Sequence, residues 1–302
     1  MVAAALVVAA PGAESQVPQN PGPLPPVPED PECYYYGRCP VAWWAEEVAV
    51  LGANALLGAL SAGIWQEIRG GSFRDGFTRG AFGGVIGYAG KRIVAYHFPG
   101  AGLLGREVSA VGHSIIRNAA EGRGTFSRVA LPLLFFPARV QLGDWGRDAR
   151  VRVDALSLWY FAYGLIEPKL ELDWGRSLSW GAAVFATDSL DFVTAGHVVP
   201  AQATLGTIFI NRRLYAASAI ESVAAHERVH VAQADVIPLA WGDALDDWLE
   251  ARVPGLGWIS RYVAPNTLTA ALLLPHAWLQ SDLDHWHLPW ELEAMALAGS
   301  VR

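Results

Sequence analysis

Residues 224–235 read AAHERVHVAQAD and place two histidines, His226 and His230, four positions apart. The surrounding stretch 216–233 has no Gly or Pro and is rich in Ala, which predicts an α-helix. Residues i and i+4 lie on the same face of a helix, so both imidazoles are able to reach one metal ion. The pattern predicts a helix that carries two zinc ligands, against the alternative of a helix with two surface histidines.

Glu227 completes an HExxH motif, because it directly follows the first histidine. A carboxylate at this position sits beside the metal, where it is able to take a proton from water and make that water a nucleophile near neutral pH. A purely structural zinc site has no use for such a base. Glu227 is therefore the candidate catalytic residue.

A third metal ligand has to come from elsewhere in the chain, because a catalytic zinc ion normally takes three protein ligands. The metzincin spacing would put a histidine six residues after His230, but Val236 stands there. Two acidic candidates stay open, Glu250 and Glu291. We prefer Glu291, because residues 289–298 read as a helix with Pro in its first turn and Glu291 near its N-terminus.

These two motifs resemble those of known metallopeptidases over about residues 204–300. The AHExxHVxQ string is similar to the active-site helix of gluzincins and of bacterial metallopeptidases with HExxHxxQ. The later ExEA string resembles the third-ligand helix of the CAAX-prenyl-protease type, in which the first Glu binds zinc; here that is Glu291. The resemblance implies a Zn²⁺ cofactor and a peptide or protein substrate. Met295 replaces the usual Asp after ExEA, so the group that would hydrogen-bond to a ligand histidine is not assigned.

The composition favours a large apolar core and argues against nucleic acid as a partner. The chain has 302 residues, of which 52% are hydrophobic and only 17% are charged, whereas about 25% charged residues is typical. Its formal net charge is −7, and it contains no long basic run. A nucleic-acid-binding surface needs clustered positive charge, so this composition makes nucleic acid an unlikely partner.

The N-terminal 40 residues are predicted to be an export segment and a linker. Residues 1–13 contain a short apolar run that ends in small residues, which resembles a signal peptide. Residues 14–40 are Pro-rich and include Cys33 and Cys39, for which we weigh a disulfide against two unpaired thiols. The interpretation is an exported protein that is periplasmic, at the cell surface or membrane-associated.

Residues 41–125 form a Gly-rich region that is predicted to be helical. Residues 48–65 carry no charge over 18 positions, which is close to the lower limit for a membrane span. We favour a buried or membrane-surface helix and keep a true span as the alternative. The glycines that follow, in residues 70–105, are explained best by close packing of helices with small side chains.

Residues 126–302 are predicted to hold an antiparallel β meander followed by the zincin-like part. Apolar and polar residues alternate in four segments, which indicates strands: residues 128–141, 149–163, 168–174 and 178–186. The expected fold class is therefore α+β, with small-residue-rich helices, a central antiparallel meander and a C-terminal part that contains the HExxH helix.

Two functions remain open at the level of sequence. The first is a secreted or membrane-associated zinc metallopeptidase that holds its metal with His226, His230 and Glu291 and uses Glu227 as general base. The second is a non-catalytic structural or interaction protein of the cell envelope, with a zincin-like domain and membrane or envelope-protein partners. The intact Glu227 favours the first, and the absent Asp after ExEA favours the second.

Overall fold

The computed structural model describes residues 43–143, 148–194, 197–199, 201–214, 217–236, 239–240, 252–266, 268–272 and 288–299. Three predictions lie outside these residues: the signal-peptide-like segment, the Pro-rich linker with its cysteines, and Glu250 as an alternative ligand. The described helices are α1 Trp43–Ile68, α2 Phe73–Ala95, α3 Ala101–Ala120, α4 Ala155–Ile166, α5 Trp174–Trp180, α6 Ala217–Ala234, α7 Leu256–Ile259 and α8 Pro289–Gly299. The described strands are β1 Arg128–Pro132, β2 Ala138–Gly143, β3 Asp148–Asp154, β4 Glu171–Leu172, β5 Ala183–Thr187, β6 Phe192–Thr194, β7 His197–Val199, β8 Ala201–Thr204, β9 Thr207–Asn211 and β10 Val263–Ala264.

Helices α1, α2 and α3 pack against each other through small residues, as the glycine content predicts. A Cβ atom on Gly80 would overlap the carbonyl oxygen of Gly58 on α1, and one on Gly84 would overlap the carbonyl oxygen of Asn54. Gly112 of α3 approaches the backbone of α2 in the same way. Only residues without a side chain permit this distance between helix backbones, so the glycines set the spacing of the three-helix layer.

Helix α1 turns small residues inward and large apolar residues outward. Among the described helices, it is the one long and apolar enough to cross a membrane, and only 22% of that apolar window is buried. It is therefore not a fully buried core helix, because it packs through one face. Its exposed large apolar side chains are Trp44, Val48, Leu56, Leu57, Leu60, Ile64, Trp65 and Ile68.

The described strands form three small sheets in which antiparallel pairs predominate. One sheet has the order β1-β2-β3-β10, the second has the order β4-β5-β9-β8, and β6 pairs with β7. Two pairs are parallel, β5 with β9 and β3 with β10. The mixture of helices and small sheets agrees with the α+β class. Strands β1, β2 and β3 follow one another as an antiparallel meander, but the later strands belong to two other sheets and do not extend it.

The predicted strand boundaries fail where a continuous apolar run follows an alternating one. The segment 149–163 is a strand only to Asp154, after which residues 155–166 form helix α4. The sequence of α4, ALSLWYFAYGLI, is largely apolar. Its apolar residues therefore follow neither the two-residue period of a strand nor the 3.6-residue period of a helix. Segment 168–174 yields only the two residues of β4, and segment 178–186 begins inside α5.

Helix α6, which carries the HExxH motif, is fixed to the helical layer by two buried arginines. Arg228 donates to the carbonyl oxygens of Val94 and Tyr96 at 3.0 Å each, at the C-terminal end of α2. Directly after the C-terminal end of α6, Asp235 pairs with Arg106 of α3 at 2.6 Å. In these charge-assisted contacts each guanidinium group donates to carbonyl or carboxylate oxygens. The contacts join α6 to α2 and α3 and so set its position.

Candidate metal centre

The motif helix α6 and the C-terminal helix α8 meet over the end of α2. Val229 and Ala232 of α6 pack with Ala294 and Leu297 of α8 in one buried cluster, which also contains Val94 and Ala95 of α2. Each of these side chains is at most 1% exposed. Val229 directly precedes His230 in α6, so this cluster holds the motif-bearing part of α6 against α8.

Three predicted ligands converge where these helices meet. His226 Nε2 lies 3.0 Å from Glu291 Oε2, and His230 Nε2 lies 3.1 Å from the same oxygen. The two histidine Nε2 atoms are 2.9 Å apart. Residues that are 61 and 65 positions apart in sequence therefore direct three ligand atoms at one point. Among the described residues, this is the group of His, Cys, Asp and Glu side chains arranged to hold a metal ion.

The triangle of ligand atoms has the size that a zinc ion needs. Zinc binds nitrogen and oxygen at 2.0–2.2 Å in tetrahedral geometry, which separates neighbouring ligand atoms by about 3.3 Å. The observed separations are 2.9–3.1 Å. A shift of a few tenths of an ångström in each side chain would fit the ion. Glutamate and two imidazoles also form the donor set of a known class of catalytic zinc sites.

Gln233 fixes the ring of His230 for this task. Its side-chain nitrogen donates to the carbonyl oxygen of Trp290 at 2.9 Å and to Glu293 Oε2 at 2.7 Å, which fixes the orientation of the amide. The amide oxygen therefore faces His230 Nδ1 at 2.7 Å and accepts a hydrogen bond from its N–H. With the proton on Nδ1, the lone pair of neutral His230 lies on Nε2 and points to the ligand triangle.

A second layer of buried polar groups holds Gln233. Glu293 accepts from Lys91 Nζ at 2.9 and 3.1 Å and from Asn54 Nδ2 at 2.7 Å. Lys91 also donates to Asn54 Oδ1 at 2.8 Å, and its side chain is only 5% exposed. The network therefore links α1, α2 and α8 to a ligand histidine on α6. Burial alone would raise the pKa of Glu293, but the charge of Lys91 and the hydrogen bonds from Asn54, Lys91 and Gln233 together outweigh it and lower that pKa.

The charges at the centre are coupled, as expected for closely packed ligands. Burial would lower the pKa of His230, but the hydrogen bond and the negative charge of Glu291 overcome this effect and raise the pKa to about 9. Burial would likewise raise the pKa of Glu291, but hydrogen bonds from His226 and His230 hold it well below its usual range. A positive charge is therefore favourable at this point, and a metal ion is able to supply it in place of a proton.

Glu227 lies in the same environment. Its side chain is buried, with 8% of the residue exposed, and its charge acts on His230. The side chains of His226 and His230 are more open, at 19% and 16% exposed. A catalytic zinc site keeps one position open to water or substrate, whereas a structural site is closed by protein ligands. The partial exposure of both histidines fits the open arrangement.

The structure brings together all the ligands that the sequence predicts, His226, His230 and Glu291, with Glu227 beside them. From the sequence, no hydrogen-bond partner of a ligand histidine was assigned, and in the structure Gln233 contacts His230 Nδ1. Gln233 follows His230 at i+3, and this spacing is a sequence signal for a contact on the same helix face. The contributions of Asn54 and Lys91 carry no such signal, because they come from distant helices.

Comparison with protein-family models, with curated proteins and with solved structures gave no match to this chain.

Proposed function

We propose that the protein is a zinc-dependent peptidase with a gluzincin-like arrangement of ligands. The observation that carries the proposal is the convergence of His226, His230 and Glu291 on one point, with Glu227 adjacent. Two helices, a buried core and a layer of hydrogen bonds position these four side chains. A surface helix with two unrelated histidines would need none of these features.

His226 and His230 would hold the ion through Nε2, and Glu291 through Oε2. When bound, zinc supplies Lewis-acid polarisation of a carbonyl oxygen and makes water more acidic. Glu227 then accepts the proton of the attacking water and passes it to the leaving amine, as general base and then general acid. Gln233 keeps the His230 proton on Nδ1, so that Nε2 stays available to the metal.

We propose further that the protein acts outside the cytoplasm and at a membrane. The exposed apolar face of α1 supports this location, since soluble monomers rarely expose large continuous apolar surfaces. The same face also supports the second candidate function, a non-catalytic interaction protein of the cell envelope. Such a protein would use α1 for its partners and the metal centre only for stability.

A Glu227→Gln variant separates the two functions. The substitution keeps the size of the side chain and removes the base, so the proposal expects zinc content like that of the wild type and peptide hydrolysis lowered by roughly a hundredfold or more. The measurement is cleavage of a quenched-fluorescence peptide library beside zinc analysis of both proteins. Zinc-loaded wild type without activity above that of Glu227→Gln would contradict the peptidase and favour the envelope protein.

A further inference from the structure

The sheet formed by β1, β2 and β3 buries two of its arginines, Arg139 and Arg152. In the β2–β3 pair, Gln141 lies opposite Arg150 and Arg139 lies opposite Arg152. Directly opposite residues, and residues two apart along a strand, project from the same face of a sheet. Gln141 also lies opposite Ala130 of β1, which is buried and packs with Ala110 of α3. The arginine-bearing face is therefore the one that covers α3.

This orientation is the reverse of what alternating strands normally show. Arg139 and Arg152 are 3% and 6% exposed, whereas Val151, between β3 arginines, is 53% exposed. Burying a guanidinium group is costly unless an anion or a hydrogen-bond acceptor compensates it. Asp154 compensates Arg139 at 3.3 Å. On the same face, Arg150 pairs with Asp148 at 3.0 Å, and Arg128, Arg150 and Arg152 line a cavity.

The cavity has a volume of about 310 Å³ and lies between the sheet, the end of α3 and the segment after α7. Its lining contains six guanidinium groups and one carboxylate, that of Asp148, which pairs with Arg150. Glu121 pairs with two more of these guanidinium groups, those of Arg117 and Arg123, so positive charge exceeds negative charge around the cavity. The chain has only 22 Lys and Arg residues and a net charge of −7, so more than a quarter of its basic side chains lie around one space. The lining residues are Arg117, Arg123, Arg128, Gln141, Gly143, Asp148, Arg150, Arg152, Ser260 and Arg261.

A buried hydroxyl in the lining also indicates a ligand. Ser260 is 3% exposed, and its Oγ has no hydrogen-bond partner among the described residues. Buried polar atoms nearly always have a partner. A hydroxyl that lines a strongly positive cavity is suited to donate to the oxygen of an anion that enters it.

We propose that this cavity is a binding site for phosphate groups. Guanidinium groups match phosphate oxygens with two parallel hydrogen bonds, and their charge does not depend on pH in the physiological range. The volume is larger than one phosphate needs, so the site takes a ligand with two linked phosphates or a phosphate on a polar head group. The site is separate from the metal centre, because none of its lining residues belongs to that centre.

Two sources supply this chemistry, a soluble phosphorylated compound and the head group of an anionic phospholipid. The C-terminal end of the apolar helix α1 lies beside the cavity, since Gly122 approaches the side chain of Gln66. Arg79 of α2 also donates to the carbonyl oxygen of Arg123 in the lining. A head group held at this position would place its lipid chains near the exposed face of α1.

Calorimetry with pyrophosphate tests the site, using the full-length wild type and an Arg150→Gln/Arg261→Gln variant. Both arginines are exposed, so the variant is expected to fold. The charge-matched control is Arg212→Gln/Arg213→Gln, which removes two exposed arginines elsewhere. We expect saturable binding by the wild type, at least roughly tenfold weaker binding by the cavity variant and little change in the control. Binding should weaken as salt is added.

Flotation with vesicles of phosphatidylcholine, with or without phosphatidic acid, distinguishes the two sources. Phosphatidic-acid-dependent capture that is lost in the cavity variant and displaced by pyrophosphate identifies a head-group site. Pyrophosphate binding without such capture identifies a soluble ligand. A Glu291→Gln variant should bind pyrophosphate like the wild type. The absence of saturable binding, an equal loss in the arginine control, or a loss in Glu291→Gln would overturn the proposal.

Discussion

Replacing Gln233 with methionine tests whether the second layer around His230 controls the metal. Methionine has a similar length but offers neither the amide oxygen nor the amide nitrogen. The change removes the acceptor of His230 Nδ1 at 2.7 Å and the donor to Glu293 Oε2 at 2.7 Å. Glu293 keeps its contacts with Lys91 and Asn54, so its buried charge stays compensated.

The expected effect follows from the loss of orientation at one of three ligands. Removing an outer partner of a ligand histidine typically weakens metal binding by roughly ten- to a hundredfold, which corresponds to about 1.4–2.7 kcal/mol. The His230 ring is then free to rotate and to exchange its tautomer, so Nε2 is no longer always the free nitrogen. Glu227 is untouched, so hydrolysis by fully zinc-loaded protein should change less than the affinity does.

Zinc affinity is measured by competition with a chromophoric chelator for the wild type and the variant. Gln202→Met is the matched control, because Gln202 is a half-buried residue on β8. It projects from the face of the sheet opposite to Ala201 and Ala203, which pack with α6. The control should bind zinc like the wild type. Affinity of the Gln233→Met protein within about threefold of the wild type, against the expected ten- to hundredfold loss, would refute the role assigned to this side chain.

Two further predictions concern the helical layer and the α3–α6 contact. Gly80→Ala should destabilise the fold by about 1–3 kcal/mol, because the new Cβ would overlap the Gly58 carbonyl; denaturant unfolding measures this, and unchanged stability would contradict the packing. Burial, opposed by the charge of Arg106 and reinforced by that of Asp235, raises the pKa of Glu107 from 4.5 to about 7. Because the folded-state pKa is the higher one, the contribution of Glu107 to stability should be greatest below 4.5 and fall as the pH rises through about 7. Glu107→Gln should flatten this fall and gain on the order of 1 kcal/mol at pH 8 after allowance for solvent screening; thermal unfolding that falls equally in both proteins would contradict it.

The metal ligands were predictable because their signals are local. The i, i+4 spacing of His226 and His230 specifies a helix face, and Pro289 marks the helix that presents Glu291. The choice between Glu291 and Glu250 depended on the predicted helix at 289–298 and on the resemblance of ExEA, not on a fixed spacing from His230. Since Glu250 lies outside the described residues, the support for Glu291 is its own position at the centre.

The surrounding network was not predictable, because its partners are far apart in sequence. Asn54 and Glu293 are 239 residues apart, and Lys91 and Glu293 are 202 apart. Nothing in a helix pattern indicates that a lysine in a Gly-rich stretch will be buried against a carboxylate from the last helix. The close helix packing was predictable from the glycines, but the partner glycine of each contact was not.

The sheet errors have a similar cause. Alternation in 149–154 was interpreted correctly as a strand, but alternation does not say which face is buried. Arg152 is buried and Val151 is exposed. A local rule cannot indicate this, because residues of β2, of the end of α3 and of the segment after α7 lie around the same cavity as Arg152.

The most direct test of the central claim is the zinc content of the purified wild type and of a His226→Ala/His230→Ala variant. The account predicts about one zinc ion per wild-type chain and loss of that ion in the variant, with both proteins folded by circular dichroism. A wild-type protein that retains no zinc after incubation and gentle removal of the excess would contradict the metal centre. Equal zinc in the two proteins would contradict it as well.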